Sequence, residues 1–206
     1  MEIGATKVVQ DRLKTTKIEE SKGASLVFCW DTHLTKIKGR NVLFIVNASN
    51  RYTIAMTDIE PRNWNYYTMY ISRVIHGVMQ EMGYSEDQIG QYFKMSGDTT
   101  VTKTHGRKSV GGINRMVMDA QYFGKKLEKE AKYQWELSEY LNRDICQPEG
   151  FDAYGYPSEL FKLDMERLGI ATKRKPAKVI DFTRYIDTNR STNHYHKRIV
   201  KTIVWA

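Results

Sequence analysis

Residues 24–57 read ASLVFCWDTHLTKIKGRNVLFIVNASNRYTIAMT, and this stretch decides the fold. Residues 24–30 alternate, with Leu26, Phe28 and Trp30 on one side, the pattern of a half-buried strand. Val42 to Val46 are five consecutive apolar residues and predict a central strand. Asn47-Ala48-Ser49-Asn50 is turn chemistry, because short polar side chains bond their own backbone there. Residues 51–57 alternate again through Tyr52, Ile54 and Met56. Three such runs joined by short polar turns predict an antiparallel meander.

Helical spacing takes over after Pro61. Trp64, Tyr67, Ile71, Val74, Ile75, Val78 and Met82 recur at three- and four-residue steps, one apolar stripe of a core-facing helix, which Gly83 ends. Ser85 with Gln88 forms a capping box for a shorter helix through Met95. A strand-like run follows at 99–104. The next stripe is Ile113, Met116, Val117, Ala120, Phe123 and Leu127; no proline intervenes before Pro148, so this helix can continue toward Leu141. Pro157 opens a last helix with Leu160, Phe161, Met165 and Leu168 inward, and Gly169 closes it. Residues 1–23 predict a short strand or helix at the edge. Beyond residue 170 come a basic linker, 171–178, and alternating runs at 179–206 that predict a C-terminal β-hairpin. The expected fold is α+β: an antiparallel sheet packed against several helices, with a core domain over 1–170.

The 206 residues carry 32 Lys or Arg and 24 Asp or Glu, a net charge of +8. Residues 171–206 alone hold +7, whereas residues 51–100 hold −2. A concentrated basic region suits a polyanion partner, nucleic acid above all, with an acidic protein surface as the competitor. A basic face that merely keeps the protein soluble is the plainer reading. No apolar run is long enough to cross a membrane. There is no apolar signal core, and Cys29 and Cys146 lack metal spacing, so a cytoplasmic protein with reduced thiols is expected.

Residues 99–115, TTVTKTHGRKSVGGINR, place Lys103, His105, Arg107, Lys108 and Arg115 around Gly106, Gly111 and Gly112. Glycine permits close backbone approach, and a helix start favours anions; the plainer reading is a basic turn between strand and helix. The segment matches neither the P-loop nor G-x-G-x-x-G. His33 follows Asp31 by two residues, so in an extended chain the two share a side and can form a dyad. His194 and His196 share one side of the expected hairpin. An H-x-H pair needs further ligands, and no HExxH or CxxC partner is present, so neither a metal nor a cofactor is expected. Metal-free RNA cleavage needs a proton acceptor, a proton donor and a cation for the phosphate. His105 with Lys103 and Arg107 is one such set; His194 and His196 with Arg198 is another. Binding alone needs less: phosphate contacts from Lys103, Arg107, Lys108, Arg115, Lys173, Arg174, Lys175, Lys178, Arg184 and Arg198, with aromatic rings stacking on bases.

LVFCWDTHL and NVLFIVNASNRYTIAM resemble an uncharacterised bacterial domain family whose members carry L-F-x-W-H-A-N-L and then V-V-L-x-N-D-x-S-R-Y. The likeness continues in TTVTKTHGRKSVGGINR, where the family reads T-F-T-K-T-x-x-R-S-x-x-A-x-x-N, and in GYPSELFKLDMERLG. It covers residues 1–168. The chain departs from the family at Asp31-Thr32-His33, where His-Ala-Asn is usual, which weakens any role carried over to that position. Such members occur on mobile elements, and a small basic protein of that kind also resembles anti-CRISPR inhibitors of Cas9-type effectors. That second resemblance implies an RNA or ribonucleoprotein partner, a Cas9 with its guide RNA, with guide cleavage as one mode of action. The leading expectation is therefore RNA or ribonucleoprotein binding; the alternative is a non-enzymatic module that sets its basic face against an acidic protein. No membrane partner is expected.

Overall fold

A computed structural model describes residues 1–14 and 18–172, and Met1–Thr172 forms one compact unit. The expected linker beyond Thr172 and the expected hairpin lie outside the described residues. The fold is α+β. Strands β1 (Glu2–Ala5), β2 (Cys29–Ile37), β3 (Arg40–Asn47), β4 (Thr53–Thr57) and β5 (Thr100–Thr102) form one sheet in the order β4-β3-β2-β1-β5. The helices are α1 (Lys7–Leu13), α2 (Pro61–Asn65), α3 (Tyr67–Glu81), α4 (Glu86–Ser96), α5 (Arg107–Gln121), α6 (Trp135–Asn142) and α7 (Pro157–Arg167). None of them is long and apolar enough to cross a membrane.

The meander is β2-β3-β4, antiparallel throughout, with Trp30 opposite Asn47, His33 opposite Phe44 and Ile45 opposite Ile54. Lys38 and Gly39 both have positive φ (48° and 82°) between Ile37 and Arg40, the two-residue turn that matches strand twist. The first strand begins where it was expected to end. Leu26–Phe28 is a 3-10 turn and the strand runs Cys29–Ile37, so Asp31 and Thr32 are strand residues and fully buried. The N-terminal segment is both strand and helix, and β1 lies inside the sheet, parallel to β2 on one side and to β5 on the other.

Period-two alternation divides the sheet into two faces. Ile3, Ala5, Trp30, Leu43, Ile45, Ile54 and Met56 form the main core with α3, α4 and α7, through Ile71, Ile75, Tyr92, Phe161 and Met165. Ile37, Val42, Phe44, Val46 and Ala55 face the other way, onto Ile113, Met116 and Ala120 of α5 and Leu137 and Leu141 of α6. Burying a side chain of this size contributes about 1.5–3 kcal/mol. The Ser85–Gln88 capping box is present.

The helix from Ile113 stops at Gln121 rather than continuing toward Leu141. Residues 122–134 instead cover the outer edge of β4: Thr57 N–H donates to Lys132 O (2.7 Å) and Gln134 N–H to Ala55 O (2.9 Å). The buried Gln134 amide ties this segment to Glu128, Ala131 and Thr57. Satisfying an open sheet edge competes with helix continuation, and here it wins.

Candidate functional site

The second face is not apolar throughout. Over β3 and β4 it is covered by α5 and α6, but over β1, β2 and β5 it carries Glu2, Gly4, Cys29, Asp31 and Thr102, related directly by strand register. Past Thr102 the chain turns back over this polar half before α5 starts. Gly106, with φ 94°, makes the turn, and no side chain of the helix caps its start. Asp31 of β2 braces the turn that leads into the helix. Asp31 accepts from His105 N–H (3.2 and 3.3 Å to its two oxygens) and from the hydroxyl of Ser109. His105 Nδ1 lies 2.7 Å from Asp31 Oδ1 and its Nε2 lies 3.1 Å from Glu2 Oε2. The other Glu2 oxygen accepts from Lys22 N–H at 2.9 Å. The side chains of His105, Asp31 and Glu2 are 2%, 0% and 6% exposed. Gly4 makes room for them.

Burial opposes a charge on His105. Hydrogen bonds to Asp31 and Cys29 and the attraction of both groups outweigh it, pushing the imidazole up to about 10. Burial also resists ionisation of Glu2, but Ser21, Lys22 and His105 together hold its carboxyl below the usual value. The protonated form of His105 is therefore favoured, with Nδ1 set against Asp31 and Nε2 against Glu2, and it braces the turn that leads into α5.

The structure joins Asp31 to His105, 74 positions away, and not to His33. His33 Nδ1 meets Thr6 Oγ1 at 3.2 Å beside the start of α1, and burial lowers its pKa. Among the expected phosphate contacts, Lys103 is ion-paired with Glu20, and Arg115 Nε with Asp119 Oδ1 at 3.1 Å. Arg107 and Lys108 are exposed in the first turn of α5, which holds no acidic residue. His194, His196, Lys173, Arg174, Lys175, Lys178, Arg184 and Arg198 lie outside the described residues.

Three residues of this region carry little sign of their role in the sequence. Glu2 is a lone acid in an apolar strand, and that is its only signal. Ser109 reads as an ordinary helix residue. Arg51 follows the Asn-rich turn and adopts φ 64°, which is uncommon for a non-glycine residue. Its side chain runs beside Gly112, whose added Cβ would meet Arg51 Cδ and Nε at 3.6 Å. Arg51, Lys108, Ser109, Gly112 and Gln147 border a cleft of about 40 Å³, with Glu149 also at its rim. Lys108 and Arg115, seven residues apart, share one stripe of α5, with Gly111 open to solvent and Gly112 beside Arg51 between them.

No curated protein and no solved structure matches this chain. One sequence family does, over a region that includes Glu2, Asp31, Arg51, His105 and Lys108. That profile, described as Domain of unknown function (DUF6933), matches residues 2–160, and the chain belongs to this family.

Proposed function

We propose that this protein binds RNA directly, both bare and when carried in a ribonucleoprotein, through the first two turns of α5 and the cleft beside them, and that it does so without proton transfer by His105. One observation carries the reading. Arg107 and Lys108 stand exposed at the positive end of a 15-residue helix with no acid in its first turn. Cations there work against the helix dipole by about 0.3–1 kcal/mol each, a cost that a bound phosphate removes. Arg51 and the glycine gap at 111–112 lie alongside. The loop that lends Gln147 to the cleft also carries Tyr154 and Tyr156, 70% and 50% exposed, and exposed rings in a basic setting suit unstacked bases. The most concrete partner is a Cas9-type effector with its guide RNA.

The test is a native gel of labelled guide RNA, with and without Cas9, and of an unrelated hairpin, run beside a denaturing gel. Wild type should shift bare RNA and leave it intact. Arg107→Glu with Lys108→Glu should weaken binding about tenfold or more and lower the salt slope by about one for each phosphate set free. A folded wild-type protein that shifts no bare RNA at low salt sinks the reading. A shift seen only with Cas9 present moves it to an acidic protein surface. Shortened products would return the chain to the nuclease class, and their loss in His105→Ala would overturn the exclusion of His105.

A further inference from the structure

We propose that Glu2, Cys29 and His105 bind one zinc-class divalent ion. Glu2 and Cys29 are register partners of the parallel strands β1 and β2, so they share a face, and His105 descends on them from the turn before α5. One ligand atom from each, a carboxylate oxygen, the Sγ and a ring nitrogen, all lie within 4.8 Å of one another, and all three side chains are buried. A tetrahedral ion with bonds of about 2.0–2.3 Å spaces its ligands about 3.3–3.8 Å apart, so small side-chain adjustments close the site.

What distinguishes this from three polar residues sharing a pocket is how their remaining atoms are held. Glu2 Oε1 accepts from Lys22 N–H, which leaves Oε2 facing His105. His105 Nδ1 is held by Asp31, which leaves Nε2 facing Glu2. A carboxylate on the far nitrogen of a histidine is the usual support for a metal-bound imidazole. The Cys29 thiol donates only at long range, to Ala24 O at 3.7 Å and Ser25 O at 3.5 Å, contacts it gives up, and it already interacts with His105. One oxygen, one sulfur and one nitrogen donor favour zinc over magnesium or calcium. The charges balance: a carboxylate, a thiolate and a neutral imidazole offset a dication. Binding releases two protons, one from the Cys29 thiol and one from His105 Nε2, and no electrons move. Such an ion fastens β1, β2 and the start of α5 together. It does not depend on RNA being the partner.

The experiment uses the full chain, stripped with chelator and reloaded with Zn²⁺ or Co²⁺. Elemental analysis after gel filtration should find one ion per chain, and Co²⁺ should give the near-ultraviolet thiolate charge-transfer band. Cys29→Ser should lose that band and Cys146→Ser should keep it. Asp31→Asn should weaken binding about 10–100-fold, as loss of an orienting carboxylate does. The wild-type spectrum decides the matter even if a variant fails to fold. A folded wild-type chain that retains no ion, or takes up Co²⁺ without the thiolate band, overturns the proposal, as does a band that survives Cys29→Ser.

Discussion

A methyl group at position 4 would stand 1.8 Å from Asp31 Oδ1 and 3.0 Å from His105 Nδ1. Neither neighbour can yield freely, since both are buried and hydrogen-bonded to each other. Gly4→Ala should therefore destabilise the fold by about 1–3 kcal/mol, the cost of overpacking a filled interior. Gly111 is the control. An added Cβ there meets nothing within 4 Å, and alanine in a helix interior is worth about 0.5–1 kcal/mol over glycine. Urea midpoints should thus move in opposite directions for the two variants, and equal shifts would refute the close approach at Gly4. His33 gives a second residue-level expectation. Burial holds its pKa below the ordinary 6.5 in the folded chain, so the unfolded chain takes up the proton first as the pH falls. Its contribution to stability is complete above about 6.5 and is lost as the pH drops through the folded value. His105, raised to about 10, gains stability as the pH falls toward its unfolded value of about 6.5, a slope of opposite sign that wild type and His33→Gln share and that cancels between them. Urea midpoints measured between about pH 7.5 and pH 5 should fall more steeply for wild type than for His33→Gln; parallel curves would show that His33 is not the group responsible.

Among the elements, those whose signal is local were legible. The β3 run, the β4 alternation, the Ser85–Gln88 cap and the Pro157 helix start each depend on residues a few positions apart, and each is found where the pattern put it. What pairs over distance was not. EIGA is four residues long, too short for its alternation to stand out, yet it joins β2 to β5 because both present open backbone edges to it. The first strand was placed too early because its apolar alternation precedes Asp31, and nothing local shows that this acid is neutralised by His105 in a turn 74 residues away. The end of α5 was missed for a similar reason: residues 122–134 have helical spacing, but the edge of β4 and the buried Gln134 amide hold them in another shape. Within the site, His105 was legible as a special residue from its basic, glycine-rich surroundings. Its carboxylate partners, Asp31 and Glu2, were not, because they come from strands far away in the sequence.

At the scale of the whole molecule, charge and fold are separate. Removing the +7 of residues 173–206 from the net +8 leaves only +1 on residues 1–172, the compact unit that contains the whole sheet, both apolar cores and the α5 site. The family match ends inside that unit as well. Binding to RNA should then have two separable parts. On the proposed reading the C-terminal charges would supply a long-range, sequence-independent attraction, and Arg51, Arg107 and Lys108 a local one. Truncation after Thr172 should preserve cooperative unfolding, weaken RNA binding and flatten the dependence of log K on log salt by about 0.7 for each single-strand phosphate no longer neutralised. Arg107→Glu with Lys108→Glu in the truncated chain should remove the remainder. If the truncated chain folds and binds with unchanged affinity and slope, the C-terminal charges face something other than RNA. If it folds and does not bind at all, the α5 face is no site by itself, and the charge beyond Thr172 carries the interaction alone.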